Sequence, residues 1–517
     1  MKPLLMHREM DFDYGADLPE GSDDLVADLE LETLFAAMAD HDPFLLEVAR
    51  RSVLQGLADP QEIRYRQEVL ADAIARPGLA RALYDLAGEA IEAERMVWRF
   101  MFQERPSSLV PRSVDVMYQF VDFLRRLREL AQEYAAGVHS PGFTRFLEMV
   151  RAELDEPYLS TVEAHLKELR FRHGQLFSAE LGPTNKGSGY VLRKPRERGL
   201  RERLPFGAFS RLSFTIPDRD ENGFRALSEL EDKGLKEAAV AIAQATGQVL
   251  SFFIALRTEA GFYLACLNLR EQLEAKGQDI CLPDPLSRHQ QELVAAGLYD
   301  PCLALRLQER VVPSDINAEG KALVLITGAN QGGKSTFLRA IGLAQVMMQA
   351  GMFVSACSLR ANICARIFTH FKREEDEAME GGKLDEELAR MSAIAERIRP
   401  SCLLLCNESF ASTNEREGSE IARQVIRAMT ENGIKLVFVT HLFELADSLR
   451  RQRMETALFL RAERRDDGAR TFRLLEGDPL HTSHGRDTFE RIFGPAARAS
   501  ESADGAQNAP TSQRVGG

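Results

Sequence analysis

Eight consecutive residues near the middle of the chain have the types and the spacing of a phosphate-binding loop. They are Gly328, Ala329, Asn330, Gln331, Gly332, Gly333, Lys334 and Ser335, with Thr336 next to them. Glycines allow such a loop to wrap phosphates with main-chain N–H groups, while Lys334 would neutralise the β- and γ-phosphates and Ser335 would ligate Mg2+. The alternative is a glycine-rich turn with a chance Lys-Ser pair. It is disfavoured because an apolar run precedes the loop and a helical pattern follows it.

A second polar group follows another apolar run. Residues 403 to 406 are Leu, Leu, Leu and Cys, and Asn407 and Glu408 come directly after them. P-loop ATPases place a Mg2+-side acid and a water-orienting residue near the nucleotide, so Glu408 is the candidate that polarises the attacking water. Asn407 offers the metal only a neutral oxygen, which predicts weaker Mg2+ binding and slow hydrolysis. His441, after a third apolar run, is a candidate to hydrogen-bond the γ-phosphate. The alternatives are an exposed loop acid and a surface histidine.

The elements that must position these residues are strands of a parallel sheet. Short apolar runs cover 322–327, 402–406 and 435–440, and each ends at one of the polar groups. Amphipathic stretches separate the runs, as in a sheet covered by helices on both faces. We therefore expect an α/β domain over residues 295–495.

The preceding residues have a different pattern. Residues 1–24 are acidic and aperiodic, which predicts a flexible N-terminal arm. Apolar residues at helical spacing then predict a helical domain over 25–294, with roughly six helices before 172 and one or two long helices between 224 and 276. A segment rich in Gly, Pro and Arg, about 174–223, interrupts it. Residues 496–517 have almost no large apolar side chains, which predicts a disordered tail.

The interrupting segment contains the best candidate surface for nucleic acid. Its basic residues are Lys186, Arg193, Lys194, Arg196, Arg198, Arg201, Arg203 and Arg211. Because the net charge of the chain is -13, contact with DNA requires a local basic patch of this kind. Such cations suit phosphate contacts that do not read sequence. The alternative is a solvated loop that pairs with acids of the helical domain.

The cysteines and the first residues of the chain indicate the cellular compartment of the protein. The seven cysteines form no Cys-x-x-Cys pair and several lie in apolar runs, so we expect reduced core residues. The first residues are too short to form a signal-peptide core, and no run of about 18 apolar residues follows them. A cytoplasmic protein without membrane contact is expected.

The motifs around the phosphate loop resemble those of the ATPase domain of MutS-type mismatch repair proteins, over roughly 295–495. Residues 327–336, TGANQGGKST, are similar to the family's TGPNMGGKST. Further similarities are VPSDI at 312–316, IFT at 367–369, NESFASTN at 407–414 and THLFEL at 440–445. The resemblance implies a P-loop ATPase domain of the ABC/MutS type after an all-α core/lever bundle with a small β-containing insertion. It also implies ATP and Mg2+ as cofactors, a homodimer through the ATPase domains, and a DNA clamp formed by the insertion.

The sequence departs from the family at three places. Gly382 stands where the family has the signature serine donated to the partner's ATP, so Lys383 or a main-chain N–H is the alternative donor. Val311 replaces the aromatic residue that stacks on adenine, which implies looser base selectivity. We expect no mismatch-reading domain before Leu25, because that segment is too short for it, and Phe146, which has the Phe-x-Glu letters at 146–148, lies on a helical stripe that predicts core packing.

Two functions are compatible with these residues. The first is a homodimeric, ATP-driven clamp that binds duplex or branched DNA without reading mismatches. The alternative is a nucleotide-switched protein-interaction module that does not bind DNA directly.

Overall fold

The computed structural model describes most of the chain in nine stretches. These are residues 1–98, 105–172, 174–183, 185–194, 215–328, 331–373, 382–452, 454–465 and 470–479. The tail predicted for 496–517 lies outside the described residues.

The N-terminal half is a helical bundle. Its first eight helices are α1 (Ser22–Asp28), α2 (Leu31–Ala39), α3 (Pro43–Gln55), α4 (Pro60–Ala75), α5 (Pro77–Trp98), α6 (Pro106–Tyr134), α7 (Pro141–Glu153) and α8 (Glu156–Leu169). Side chains of Asp42, Asp59, Ser140 and Asp155 cap α3, α4, α7 and α8, each followed by a proline in the first turn. The described residues before 172 form eight helices, where the sequence predicts about six. One reason is that α1 and α2 are separated at Glu30, in the left-handed region, without a Gly or Pro breaker.

Residues 1–24 pack against the bundle, where the sequence predicts a flexible arm. Leu5 and Met6 are fully buried. The buried carboxylate of Glu259 accepts hydrogen bonds from the main-chain N–H of Leu5 at 2.6 Å and of Phe12 at 2.9 Å. The partner is about 250 residues away along the chain, so the local sequence pattern of the segment contains no sign of it.

One helix of 55 residues, α9 (Glu221–Ala275), forms the axis of the bundle and packs against α5 and α6. All its residues from 258 to 269 are buried. By length and composition α9 is the one described helix apolar enough to cross a membrane, and 33% of its most apolar window is buried. The core helix of a soluble protein meets the same criterion, so this is weak evidence for a membrane span.

The insertion contains a small antiparallel hairpin between α8 and α9. Its strands are β1 (Leu176–Leu181) and β2 (Gly187–Arg193), with Phe177 opposite Leu192. The strand-like residues 190–192 of the sequence lie in β2. Residues 195–214 lie outside the described part of the chain.

Phe146 lies in the core of the bundle. Its side chain is 1% exposed on α7, beside Phe143 and Leu147, which are also buried. The core packing predicted for Phe146 is thereby confirmed.

The C-terminal half is an α/β domain. Its strands are β3 (Asp284–Leu286), β4 (Leu293–Leu298), β5 (Ser314–Asn317), β6 (Leu323–Thr327), β7 (Ser358–Asn362), β8 (Ile367–Phe371), β9 (Leu403–Asn407), β10 (Lys435–Val439), β11 (Ala457–Arg464) and β12 (Arg470–Glu476). Its helices are α10 (Pro301–Arg306), α11 (Lys334–Gln349), α12 (Lys383–Arg397), α13 (Glu415–Glu431) and α14 (Phe443–Arg451).

The main sheet has six strands in the order β12-β11-β6-β10-β9-β8. Five of them are parallel, and β12 pairs antiparallel with β11, so the sheet is mixed where the sequence predicts a parallel one. A second sheet, β3-β7-β4-β5, is also mixed. Because β3 and β4 pair with β7, the α/β domain begins near residue 284, before the predicted boundary at 295.

Both faces of the main sheet are buried. Along β6, Val324 and Ile326 belong to the core that contains α11, whereas Leu323 and Leu325 belong to a separate core that contains residues of α12, α13 and α14. Alternation along a strand sends successive side chains to opposite faces, so helices cover the sheet on both sides. Because the five strands are parallel, their carboxyl ends lie along the same side of the sheet. The candidate residues lie at or just after the carboxyl ends of β6, β9 and β10.

Candidate nucleotide site

The phosphate loop joins β6 to α11. Gly328 and Gly333 have φ of 124° and 88°, and a Cβ on Gly333 would lie 3.0 Å from the carbonyl oxygen of Phe472. Gln331 also lies in the left-handed region, at φ 60°. The loop thus has the backbone conformation and the close approach to β12 that require glycine. Ala329 and Asn330 lie outside the described residues.

Lys334 is folded back onto the loop. Its Nζ donates a hydrogen bond to the carbonyl oxygen of Gly328 at 2.8 Å, and the residue is 4% exposed. Burial lowers the pKa of the Lys334 ammonium, and the carboxylate of Glu408 partly opposes this effect. A buried ammonium at the start of a helix is the group expected to meet a phosphate oxygen.

Ser335 and Asn407 meet across the sheet edge. The Ser335 hydroxyl donates to Oδ1 of Asn407 at 2.8 Å. The two residues supply hard, neutral oxygen donors of the kind that Mg2+ accepts, with Glu408 next to Asn407 in the chain. The described residues contain no group of three or more His, Cys, Asp or Glu side chains arranged to hold a metal alone. The residues therefore fit a Mg2+ ion that arrives with the phosphates of a nucleotide.

Glu408 and His441 face each other at the ends of β9 and β10. Oε1 of Glu408 lies 3.9 Å from Nδ1 of His441, within ion-pair range for a protonated ring. The His441 ring is the main cause that holds the pKa of Glu408 below its ordinary value; burial opposes it, and Lys334 and Lys372 add to the lowering. The main-chain N–H of Glu408 donates to the carbonyl of Val439 at 2.9 Å, which ties the two strand ends together.

Gly382 and Lys383 begin helix α12. Gly382 is the N-terminal capping residue, at φ −67° and ψ 153°, and no side chain caps the helix there. A Cβ on Gly382 would meet, within 4 Å, only the carboxylate of Asp385. The described residues of the same chain therefore leave this position uncovered.

A cavity of about 250 Å3 adjoins the phosphate loop. Val311, Thr336 and Phe337 line it from one side and Phe472 of β12 from the other. Phe472 is 51% exposed and has φ of 61°. The family resemblance points to Val311 as the residue next to the adenine base, and it gives no sign of Phe472. The approach of Phe472 to the loop depends on the pairing of β12 with β11, and β12 begins 139 residues after Gln331 of the loop.

The basic insertion is described only in part. Lys186 is exposed, Nε of Arg193 donates to Oγ of Ser178 at 2.9 Å, and Nζ of Lys194 lies 2.5 Å from Oε1 of Glu168. The other candidate cations lie outside the described residues, namely Arg196, Arg198, Arg201, Arg203 and Arg211.

A strand, a glycine loop and a helix with Lys and Ser at its start, at the carboxyl edge of a parallel sheet, define a P-loop nucleotide-binding domain. Two family models match the chain: the MutS2 N-terminal domain over residues 58–276 and MutS domain V over residues 324–504. Together with the relatives described next, these matches identify the chain as a MutS-related protein.

The relatives fall into two groups. The DNA mismatch repair proteins MutS of Synechococcus sp. and Synechocystis sp. are each 25% identical to the chain, over 452 and 457 residues, with 77% of this chain and 49% of each relative covered. The protein of the same name from Clostridium botulinum is 38% identical over 135 residues, which cover 25% of this chain and 14% of the relative. The chain spans about half the length of the curated relatives that it matches along most of its sequence.

Proposed function

We propose that the protein binds and hydrolyses ATP in a homodimer that clamps duplex or branched DNA and does not read mismatches. The observation that carries the proposal is the convergence of five side chains at one sheet edge. They are Lys334, Ser335, Asn407, Glu408 and His441. The names of the relatives support the DNA part, and the burial of Phe146 excludes the Phe-x-Glu at 146–148 as a mismatch-reading wedge. We expect the protein in the cytoplasm.

ATP would bind with its phosphates in the loop at 328–335. Lys334 would exchange its bond to the carbonyl of Gly328 for a phosphate oxygen. Ser335 and Asn407 would hold the Mg2+, which neutralises phosphate charge when bound. The base would occupy the cavity between Val311 and Phe472, where the exposed ring can stack on it.

Hydrolysis would depend on Glu408. Its carboxylate stays ionised because its pKa is lowered, so it can accept a hydrogen bond from the attacking water and orient it. His441, 42% exposed beside it, would donate to the γ-phosphate and respond to its loss. Because Asn407 is neutral, we expect slow turnover.

The dimer would form through the α/β domains. The uncovered N-terminal end of α12 would reach the ATP bound by a second copy, with Lys383 or a main-chain N–H as donor. The insertion, which precedes the N-terminal end of the long helix α9, would contact DNA phosphates, whereas the α/β domain follows the C-terminal end of that helix.

The alternative, a nucleotide-switched protein-interaction module, has one observation in its favour. Arg193 and Lys194 make contacts within the chain, to Ser178 and Glu168. Cations engaged in this way are less available to phosphates. Under this alternative the insertion and the bundle would dock a protein.

The ATPase rate with and without duplex, branched and single-stranded DNA tests the choice. A clamp should change its rate with one of the DNA forms, whereas a protein-docking module should respond to none. Replacing Arg196 and Arg198 by Ser should reduce the salt slope of log affinity by roughly 0.9 for each phosphate that the protein no longer neutralises. The matched control replaces Arg427 and Arg451, each 77% exposed on the α/β domain, and should leave the slope unchanged.

A further inference from the structure

A buried carboxylate joins helix α12 to the loop that follows Glu408. Glu387 of α12 is 2% exposed. Its Oε2 accepts a hydrogen bond from the main-chain N–H of Phe410 at 2.5 Å, and its Oε1 accepts one from the Ser412 hydroxyl at 2.6 Å. Both carboxylate oxygens are therefore used to hold one short segment, residues 410–412.

The backbone from Glu408 to Phe410, which leads into that segment, is constrained. Glu408 and Phe410 have φ of 54° and 63°, in the left-handed region that side chains other than glycine rarely adopt. Residues in this region keep their conformation only when surrounding contacts hold them there. Ser409, between them, lies 2.7 Å from Nδ1 of His370 and donates to the carbonyl of His370 at 2.9 Å. The hydrogen bonds to Glu387 and His370 thus hold residues 409–412, while the main-chain N–H of Glu408 itself is held by the carbonyl of Val439.

Glu387 lies close to the uncovered end of α12. The helix begins at Lys383, so Glu387 is four residues, or about one turn, from its start. A displacement of the N-terminal end of α12 moves Glu387 with it, because a helical turn is rigid on this scale. The same displacement must then move Phe410 and Ser412, and with them the segment that sets the direction of the Glu408 side chain.

We propose that Glu387 is a positioning residue that couples the N-terminal end of α12 to Glu408. In a dimer, a second copy of this chain contacts the exposed end of α12, and Glu387 transmits that contact to the hydrolytic carboxylate of its own chain. Dimerisation thereby raises turnover. The inference rests on the proposed ATPase function and names the residue that makes hydrolysis depend on the partner.

The test measures steady-state ATP hydrolysis per chain as a function of protein concentration, with the dimer followed by sedimentation. Glu387→Gln retains the size of the side chain but places an amide against a main-chain donor. Ser412→Ala removes one of the two donors from a half-buried position and should not affect folding. Glu386→Gln is the matched control, because Glu386 is the neighbouring acid on the same helix and pairs with Arg390 instead of with residues 410–412.

For wild type, turnover per chain should rise as the dimer forms. In Glu387→Gln the dimer should form at the same concentration while kcat falls about tenfold and KM stays within about twofold, as expected for one misplaced hydrogen bond. Ser412→Ala should show a smaller fall in the same direction, and Glu386→Gln should behave as wild type.

The outcomes separate the two ideas. If wild type does not hydrolyse ATP, the proposed function fails and the inference fails with it. If wild type hydrolyses ATP and both Glu387→Gln and Ser412→Ala keep its rise with concentration, only the inference is wrong. A merely structural role predicts that Glu387→Gln lowers the monomer and dimer rates by the same factor, and that result would also overturn the inference. Should Glu387→Gln not fold, Ser412→Ala alone decides.

Discussion

The Ser335 hydroxyl donates a hydrogen bond to Oδ1 of Asn407 across 2.8 Å, which joins the first turn of α11 to the end of β9. Both partners are neutral. P-loop ATPases place an acid on the metal side of the site. Here Asn407 stands at that position and offers a neutral oxygen instead. Several expected properties of the site depend on this difference.

Asn407→Asp should raise the apparent affinity for Mg2+. One added unit charge about 4 Å from a divalent ion contributes about 2 kcal/mol even at the dielectric of bulk water, so we expect an increase on the order of tenfold or more. A Mg2+ titration of single-turnover hydrolysis measures it. Asn414→Asp adds the same charge at the capping residue of α13 and should leave the Mg2+ dependence unchanged. An unmoved midpoint in Asn407→Asp would mean that Asn407 does not face the metal.

Glu408→Gln should stop turnover while ATP still binds. The amide has nearly the shape of the carboxylate but cannot accept a proton or strongly polarise a water molecule. Dimers joined by unhydrolysed ATP should then accumulate and be visible in sedimentation. Lys334→Ala is the comparison, because it removes the buried phosphate-binding cation and should bind no ATP. Hydrolysis by Glu408→Gln at the wild-type rate would remove Glu408 from the reaction.

His441→Ala should shift the acid limb of the kcat profile to higher pH. His441 is the main cause of the lowered pKa of Glu408, so its removal returns that pKa toward the ordinary value. Glu408 would then become protonated, and inactive as a hydrogen-bond acceptor for water, at a higher pH than in wild type. The pH dependence of single-turnover hydrolysis measures the shift. A fall in kcat with an unmoved acid limb would assign His441 a role in the γ-phosphate contact alone.

The parts of the fold that follow from local sequence could be predicted. Strands β6, β9 and β10 are short apolar runs that lead to polar residues, and the loop between β6 and α11 has the specific sequence motif of a phosphate-binding loop. These features need no knowledge of distant contacts. The positions of Asn407 and Glu408 at the same edge as Ser335 followed from the parallel order of the strands.

The parts that depend on long-range pairing could not be predicted. Leu5 and Met6 belong to an acidic, aperiodic segment and are held by Glu259, Tyr263 and Arg66, all distant along the chain. Phe472 reaches the nucleotide cavity only because β12 turns back against β11. In the sequence alone, Glu387 cannot be distinguished from the other acids of an amphipathic helix. Its burial against Phe410 is a tertiary contact that helical spacing does not reveal.

The contribution of His370 to stability should fall as the pH is lowered from about 6.5 to about 4. Burial is the main cause that lowers the pKa of His370 to about 4, so the unfolded chain binds a proton over this interval that the folded chain does not. Such a group removes about 1.4 kcal/mol of unfolding free energy per pH unit, and His7, with a pKa also lowered to about 4, acts in the same direction. Urea unfolding midpoints of wild type and His370→Asn at pH 7 and pH 5 test this. An equal loss in both proteins would show that His370 titrates normally.

Gly382→Ser should strengthen the ATP-dependent dimer. The position accepts a serine without strain, because its φ is −67° and, among the described residues, a Cβ there would meet only the carboxylate of Asp385. If the N-terminal end of α12 reaches the phosphates of the partner's ATP, the added hydroxyl supplies a hydrogen bond to a charged group. A bond of that kind contributes about 1.5 to 3 kcal/mol, which corresponds to a dimer roughly tenfold or more tighter in sedimentation with ATP. The hydroxyl could instead cap α12, but replacing a capping glycine by serine changes helix stability by only a few tenths of a kcal/mol, about the size of the error in an unfolding experiment. Gly382→Ala separates the hydroxyl from the added carbon and should leave dimerisation unchanged. If the alanine and serine variants dimerise equally, the hydroxyl makes no contact across the dimer, and Lys383 or a main-chain N–H is left as the donor to the partner's nucleotide.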